Sequence, residues 1–151
     1  MTPAIRPASP DDLAAVLRLL AQLNPEDTPP SPALAAQTWR DILARPGVTT
    51  LLACLGAEVV ACLTLVVVPN LSRGAQPYAF IENVVTDQAH RGKRIGRTLM
   101  DAALQHAWDQ NAYNVMLMTG SKKASTLGFY RAAGFTDDKT AFQRRRVPYL
   151  R

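Results

Sequence analysis

One carboxylate, Glu82, stands in the run Ile81-Glu82-Asn83-Val84-Val85-Thr86, which otherwise reads as a buried strand. A turn from Asp87 to His90 follows, and then a basic, glycine-containing stretch, Arg91-Gly92-Lys93-Arg94-Ile95-Gly96-Arg97, that opens into a helical pattern. Such a loop directs backbone N–H groups and the positive end of a helix at one point in space, which suits a phosphate or pyrophosphate. Gly92 and Gly96 permit close approach to the backbone, and Arg91, Lys93, Arg94 and Arg97 add positive charge. A carboxylate able to act as a base beside an anion clamp points to an enzyme with a phosphate-bearing co-substrate. The loop lacks the GxGxxG of a dinucleotide fold and the GK[ST] of a nucleotide-triphosphate loop.

The elements around this run are legible from caps and periodicity. Ala4 to Pro7 suits a short strand. Ser9-Pro10-Asp11-Asp12 is a helix start, with Ser at the cap, Pro at the first helical position and acids in the first turn. Leu13, Val16, Leu17, Leu20 and Leu23 follow at helical spacing. Four prolines between Asn24 and Pro32 break that helix. A second helix runs through Leu34, Trp39, Ile42 and Leu43 and ends before Pro46-Gly47. Val48–Leu55, a turn at Gly56-Ala57 and Glu58–Val68 form a β-hairpin. The loop 69–77 carries Asn70, Arg73, Gly74 and Gln76. A strand at Tyr78–Thr86, a helix over 94–110, a strand over 113–118 and a short helix over 125–133 complete the pattern. Gly134 stops the last helix. Phe135–Thr136 and residues 140–147 are expected to form a closing strand pair. The order β-α-α-β-β-β-α-β-α-β predicts an α/β (α+β) fold, with a mixed sheet and helices on its faces.

At 151 residues, with 48% hydrophobic and 19% charged residues, the chain suits one globular domain spanning 1–151. Lys+Arg 17 against Asp+Glu 12 gives +5, which favours an anionic partner: nucleic acid, phosphorylated metabolite or phosphate-bearing cofactor. Cys54 and Cys62 lie in apolar runs and read as buried hydrophobes, and no Cys/His spacing suggests a metal site. Met1 to Arg6 has no apolar core like that of a signal peptide, and Val59–Val68 is too short to span a bilayer. A cytoplasmic location without a membrane partner is expected.

Two motifs in register give a resemblance. Arg91 to Gly96 is similar to the acyl-CoA-binding motif Q/R-x-x-G-x-G/A of the GCN5-related N-acetyltransferase (GNAT) superfamily, with Arg94 where the middle glycine usually stands. Leu127-Gly128-Phe129-Tyr130-Arg131-Ala132-Ala133-Gly134-Phe135 resembles the same superfamily's FY-x-x-x-GF segment. The one-helix-plus-one-strand spacing between the motifs also resembles the family's. Ile81 to Val85 followed by Arg91-Gly92-Lys93 further resembles the glucosamine-6-phosphate N-acetyltransferases within it.

The resemblance implies a GNAT fold, with a mostly antiparallel central sheet, and acetyl transfer from acetyl-CoA to an amine. It implies that the backbone at Val84 and Val85 pairs with pantetheine as an added strand. The pyrophosphate would rest on Gly92, Lys93, Arg94, Ile95, Gly96 and Arg97, with Arg91 at the head of the motif. Lys122 and Lys123 could meet the 3′-phosphate end. Tyr130 becomes the donor that protonates the leaving thiolate and contacts the cofactor there. Glu82 becomes the group that takes the amine's proton, since neutralising a lysine-like amine at pH 7 costs about 4.6 kcal/mol. The acceptor would be a small primary amine, and an anionic one could meet Arg73. His90 and His106 read as a loop and a helix-face residue. A protein or peptide acceptor, or a CoA-binding sensor without turnover, are the alternatives. Arg144-Arg145-Arg146 and Arg151 read as a solvated strand edge, so no nucleic-acid partner is expected. A homodimer through the closing strands is plausible by family analogy.

Overall fold

The computed structural model describes residues 2–146, which divide between Leu117 and Met118 into two compact units. The first unit holds one five-stranded sheet in the order β1-β2-β3-β4-β5: Ala4–Pro7, Val48–Leu55, Glu58–Val68, Tyr78–Thr86 and Asn114–Met116. The first three pairings are antiparallel and β4–β5 is parallel. Its helices are α1 (Leu13–Leu23), α2 (Pro32–Ala44) and α3 (Ile95–Asp109). The second unit holds α4 (Ala124–Ala132).

Strand alternation sorts the core into two layers. Leu52, Cys54, Val59, Cys62 and Val85 point to one face, where Val16 and Leu19 of α1 and Trp39 of α2 complete a buried cluster. Leu51, Ala53, Ala61, Leu63, Leu65, Ala79 and Ile81 point the other way and are buried. On that side α3 runs over β2, β3 and β4 with Ile95, Leu99, Met100, Ala103 and Ala107 buried. The sheet therefore has helices on both faces, as the element order predicts.

The caps form as their residue types require. Ser31 Oγ accepts from the Leu34 amide at 3.3 Å and opens α2. Asp12 accepts from the Ser9 amide at 2.7 Å and takes two bonds of 2.8 Å from the Arg6 guanidinium. The fork ties β1 to the first helical turn and holds the Asp12 carboxyl well below the usual carboxylate range. In the second unit α4 ends as Gly134 demands. The Gly134 amide donates to Arg131 O at 2.9 Å, and its φ of 90° turns the chain so that the Phe135 amide reaches Tyr130 O at 3.1 Å.

Two expectations are corrected. The strand at 113–118 is reduced to Asn114–Met116, because β5 pairs only with Tyr78, Ala79 and Phe80 of β4. The closing strand pair is absent among the described residues: 135–146 carry no strand. A half-buried strand needs apolar residues at every second position. Here Ala141 and Phe142 are adjacent, polar residues flank them on both sides, and Phe142 is 92% exposed. Val147 and Arg151, also parts of those expectations, lie outside the described residues.

The Arg6–Asp12 fork sets a pH signature. The folded carboxyl titrates below its unfolded value of about 3.9, so its stabilisation is complete above that value and is lost as pH falls further. Urea midpoints measured from about pH 5 down to about pH 2 should fall, and Asp12→Asn should be less stable at neutral pH with a shallower acid loss.

Candidate active site

The strand bearing Glu82 is not regular. Between the pairs Cys62↔Val85 and Thr64↔Glu82, two β4 residues, Asn83 and Val84, stand opposite Leu63 alone. This is a β-bulge, and Asn83 adopts φ 54° to make it. Asparagine enters the left-handed region more readily than most side chains. The bulge flips the strand's parity, so Glu82 and Val85 share the face on which α1 and α2 pack. Glu82 and Asn83 are exposed, while Val84 is half-buried.

Beyond the bulge the backbone has an open edge. β5 stops at Met116, opposite Phe80, so Ile81–Thr86 has no strand on that side among the described residues. The Asp87 amide donates to Val60 O at 2.8 Å, which continues the β3–β4 ladder. By the ladder's two-residue alternation, the backbone groups of Val85 turn to β3, and those of Val84 and Thr86 turn to the open edge. Arg91 Nε donates to Thr86 O at 3.0 Å and caps the end of that edge.

The loop leaves β4 through a tight corner. Asp87 accepts from the Ala89 amide at 3.0 Å and caps a single 3₁₀ turn, Gln88–His90. This bond first, then Arg18 and Gln22, hold its carboxyl below the usual range against its burial. Gly92 follows at φ 77°, and Arg94 at φ 62° and ψ 6° is the cap residue of α3. Arg94 thus takes the left-handed conformation that the family's usual glycine reaches without strain. The first helical hydrogen bond is from the Thr98 amide to Arg94 O at 3.0 Å. The amides of Gly92, Lys93, Arg94, Ile95 and Gly96 have no acceptor among the described residues. They converge at a helix N-terminus, a donor set suited to an anion.

The loop's side chains are partly engaged in holding its shape. Lys93 Nζ donates to Ala89 O at 3.2 Å, and Arg97 Nε pairs with both carboxylate oxygens of Asp101 at 2.8 and 2.9 Å. His90 Nε2 is 3.7 Å from Glu58, and its Nδ1 is buried without a partner among the described residues. Arg73 lies in the loop before β4 with its guanidinium 5.7 Å from the Tyr113 ring centre, a cation–π contact. Cys62 is buried, and burial pushes its thiol up to about 12, so it is no thiolate nucleophile at neutral pH.

In the second unit Tyr130 sits on α4 between two aromatic neighbours. Its ring meets Phe129 at 5.2 Å and Phe135 at 6.2 Å, both edge-on. Lys123 is the cap residue of α4, and its amide donates to Ser121 Oγ at 3.3 Å.

The first unit thus brings Glu82, the bulge at Asn83–Val84 and the loop 91–97 onto one continuous strand-to-helix segment. Sequence reasoning missed the bulge and the clamp that holds the corner. Arg18 and Gln22 are the only polar side chains in α1 and lie four residues apart, a signal that was present. An asparagine inside an apolar strand was the corresponding signal for the bulge.

The chain belongs to the acetyltransferase (GNAT) family, whose model matches residues 13–135, and is an enzyme of the transferase class. A solved structure described as a putative acetyltransferase from Agrobacterium tumefaciens str. C58 is 43% identical. It superposes with a TM-score of 0.92 over 95% of this chain and 99% of that one. A glucosamine 6-phosphate N-acetyltransferase from Trypanosoma brucei brucei is 28% identical over 133 residues, 87% of each chain. A structure described as a transcriptional regulator from Bacillus halodurans C-125 is 26% identical, with a TM-score of 0.86 over 95% of this chain and 99% of that one.

The left-handed loop residue gives a stability test. Arg94→Val should destabilise by about 1–2 kcal/mol, since a β-branched side chain tolerates this conformation worst. Arg94→Gly should stay within about 1 kcal/mol of the parent, as strain relief offsets the added freedom of the unfolded chain. Urea denaturation measures both.

Proposed function

We propose that the whole chain, 1–151, works as one acetyl-CoA-dependent N-acetyltransferase that acts on the primary amine of a small acceptor by direct attack. The observation that carries this reading is the β4 edge: a bulged strand, open on one side from Ile81 onward among the described residues, leads into a loop whose amides at the N-terminus of α3 have no acceptor there. Pantetheine would add to the open edge at Val84 as an extra strand, while Val85 anchors the strand to β3. The pyrophosphate would rest on the amides of residues 92–97, with Arg91, Lys93, Arg94 and Arg97 around it. Lys122 and Lys123 remain candidates for the 3′-phosphate end.

The amine must lose a proton to attack the thioester. Glu82 is exposed on the face shared with α1 and α2, so an incoming amine can reach it directly or through a water. Amides freed by the bulge near Val84 would hydrogen-bond the thioester oxygen as negative charge builds there. Tyr130 is assigned, on the likeness of its segment to the family's motif, to protonate the departing CoA thiolate. The buried, protonated state of Cys62 supports direct attack without an acyl-enzyme.

The Trypanosoma relative supports a small, anionic acceptor, with Arg73 as its candidate contact. Free thiols at Cys54 and Cys62 fit a cytoplasmic setting. No described helix is long and apolar enough to cross a membrane. A homodimer stays part of the proposal. A second reading, a CoA-binding module without turnover, draws on the relative described as a transcriptional regulator.

Free-thiol release from acetyl-CoA over a panel of small amines and peptides separates these readings. Amine-dependent release is expected; CoA binding without release for any amine would favour the sensor. Glu82→Gln should lower kcat at least about tenfold at neutral pH, and Tyr130→Phe should do the same with CoA affinity nearly unchanged. Wild-type kcat in either variant would remove that residue from the mechanism. Gly96→Glu should abolish measurable CoA binding in calorimetry by putting a carboxylate into the anion site.

A further inference from the structure

We propose that Arg18 and Gln22 of α1 are positioning residues for the anion-receiving loop. They hold the corner at Asp87–Gln88 from which residues 91–97 depart. The inference rests on the reading of that loop as the CoA site.

The bonds converge on two consecutive residues. Asp87 Oδ2 accepts from Arg18 Nη1 and from Gln22 Nε2, the latter at 3.2 Å. Gln22 Oε1 in turn accepts from the Gln88 amide at 2.9 Å. Arg18 spans further, with Nη2 donating to Val59 O at 2.7 Å. The Asp87 amide meets the next carbonyl of the same strand, Val60 O. One helix turn therefore grips the end of β4 and the start of β3 together.

The grip reaches the loop through a short, bonded path. Asp87 Oδ1 holds the Ala89 amide, and Asp87 O accepts from the His90 amide at 2.9 Å. Arg91 comes next and bonds back to Thr86 O. No residue between the clamp and Gly92 is unbonded, so a displaced Asp87 carries the loop amides with it. Anion affinity depends on several amides pointing at one place, and small misplacement is costly. The Asp87 side chain is only 9% exposed, so losing Arg18 leaves a buried carboxylate seeking new partners.

The chain supplies its own control. Arg6–Asp12 joins the same residue types with side-chain exposures of 43% and 9%, against 44% and 9% for Arg18–Asp87. That pair ties β1 to the start of α1 and makes no direct bond to the corner at Asp87–Gln88. A purely structural role predicts equal effects from the two pairs.

The experiment is calorimetric titration with CoA of the parent chain, Arg18→Gln, Arg18→Lys, Gln22→Leu and Arg6→Gln, with urea midpoints in parallel. Arg18→Gln and Arg6→Gln should lose similar stability. Arg18→Gln should raise the Kd for CoA about tenfold, with Arg6→Gln within about twofold of the parent. Arg18→Lys, which keeps the charge, should recover part of the affinity. In turnover, KM for acetyl-CoA should rise more than kcat falls. If Arg18→Gln does not fold, Gln22→Leu, which spares the ion pair, carries the test with an expected rise of about threefold. Parent-like CoA affinity in a folded Arg18→Gln or Gln22→Leu variant would overturn the proposal, as would an equal loss in Arg6→Gln. A parent chain that binds no CoA would instead overturn the reading of the loop, and this inference with it.

Discussion

Backbone N–H and C=O groups must be paired, solvated or given to a ligand, and that constraint organises the first unit. β4 is paired along its length with β3 but meets β5 over three residues only. From Ile81 onward its other side is open. The bulge at Asn83 adds one residue to that open stretch and turns extra backbone toward it. The amides of residues 92–96, without an acceptor among the described residues, continue the supply of donors into the first turn of α3. Strand edge and helix start together form one line of donors and acceptors.

Holding such a line still requires packing on both faces. α3 buries Ile95 and Leu99 directly behind the loop, so the helix end cannot drift from the sheet. On the opposite face α1 buries Val16 and Leu19 and sends Arg18 and Gln22 to the corner. Apolar burial supplies the affinity between layers, and these two polar side chains supply the register. The left-handed residues Asn83 and Arg94 are local costs that this surrounding order sustains.

Much of the fold was legible from residue types. Ser9-Pro10 and Ser31-Pro32 marked helix starts, Gly56 marked the hairpin, and Gly134 marked the end of α4, because each signal acts within a few residues. The loop was legible for the same reason: Gly92 and three cations, Arg91, Lys93 and Arg94, precede a helical pattern. The closing strands were misread because the segment lacks a strand's alternation: Ala141 and Phe142 are adjacent, and Arg144, Arg145 and Arg146 follow in a row. The shortness of β5 was not legible, since nothing in Tyr113 to Met118 says where β4 departs from it. The clamp on Asp87 was hidden for the same cause, its partners being 69 and 65 residues away in the chain.

The sequence by itself determined the order of elements through α4, the two layers of the core, and the basic, glycine-containing loop with a carboxylate upstream. These follow from periodicity, caps and glycine freedom, which are properties of neighbouring residues. Only the tertiary structure decided which backbone groups face the open edge. That depends on a one-residue slip between β3 and β4, and a slip of one reverses every direction along a strand. It also decided that Glu82 shares a face with α1 and α2, and that α1 grips the corner before the loop. Both require strands and helices distant in sequence to be packed before the geometry exists.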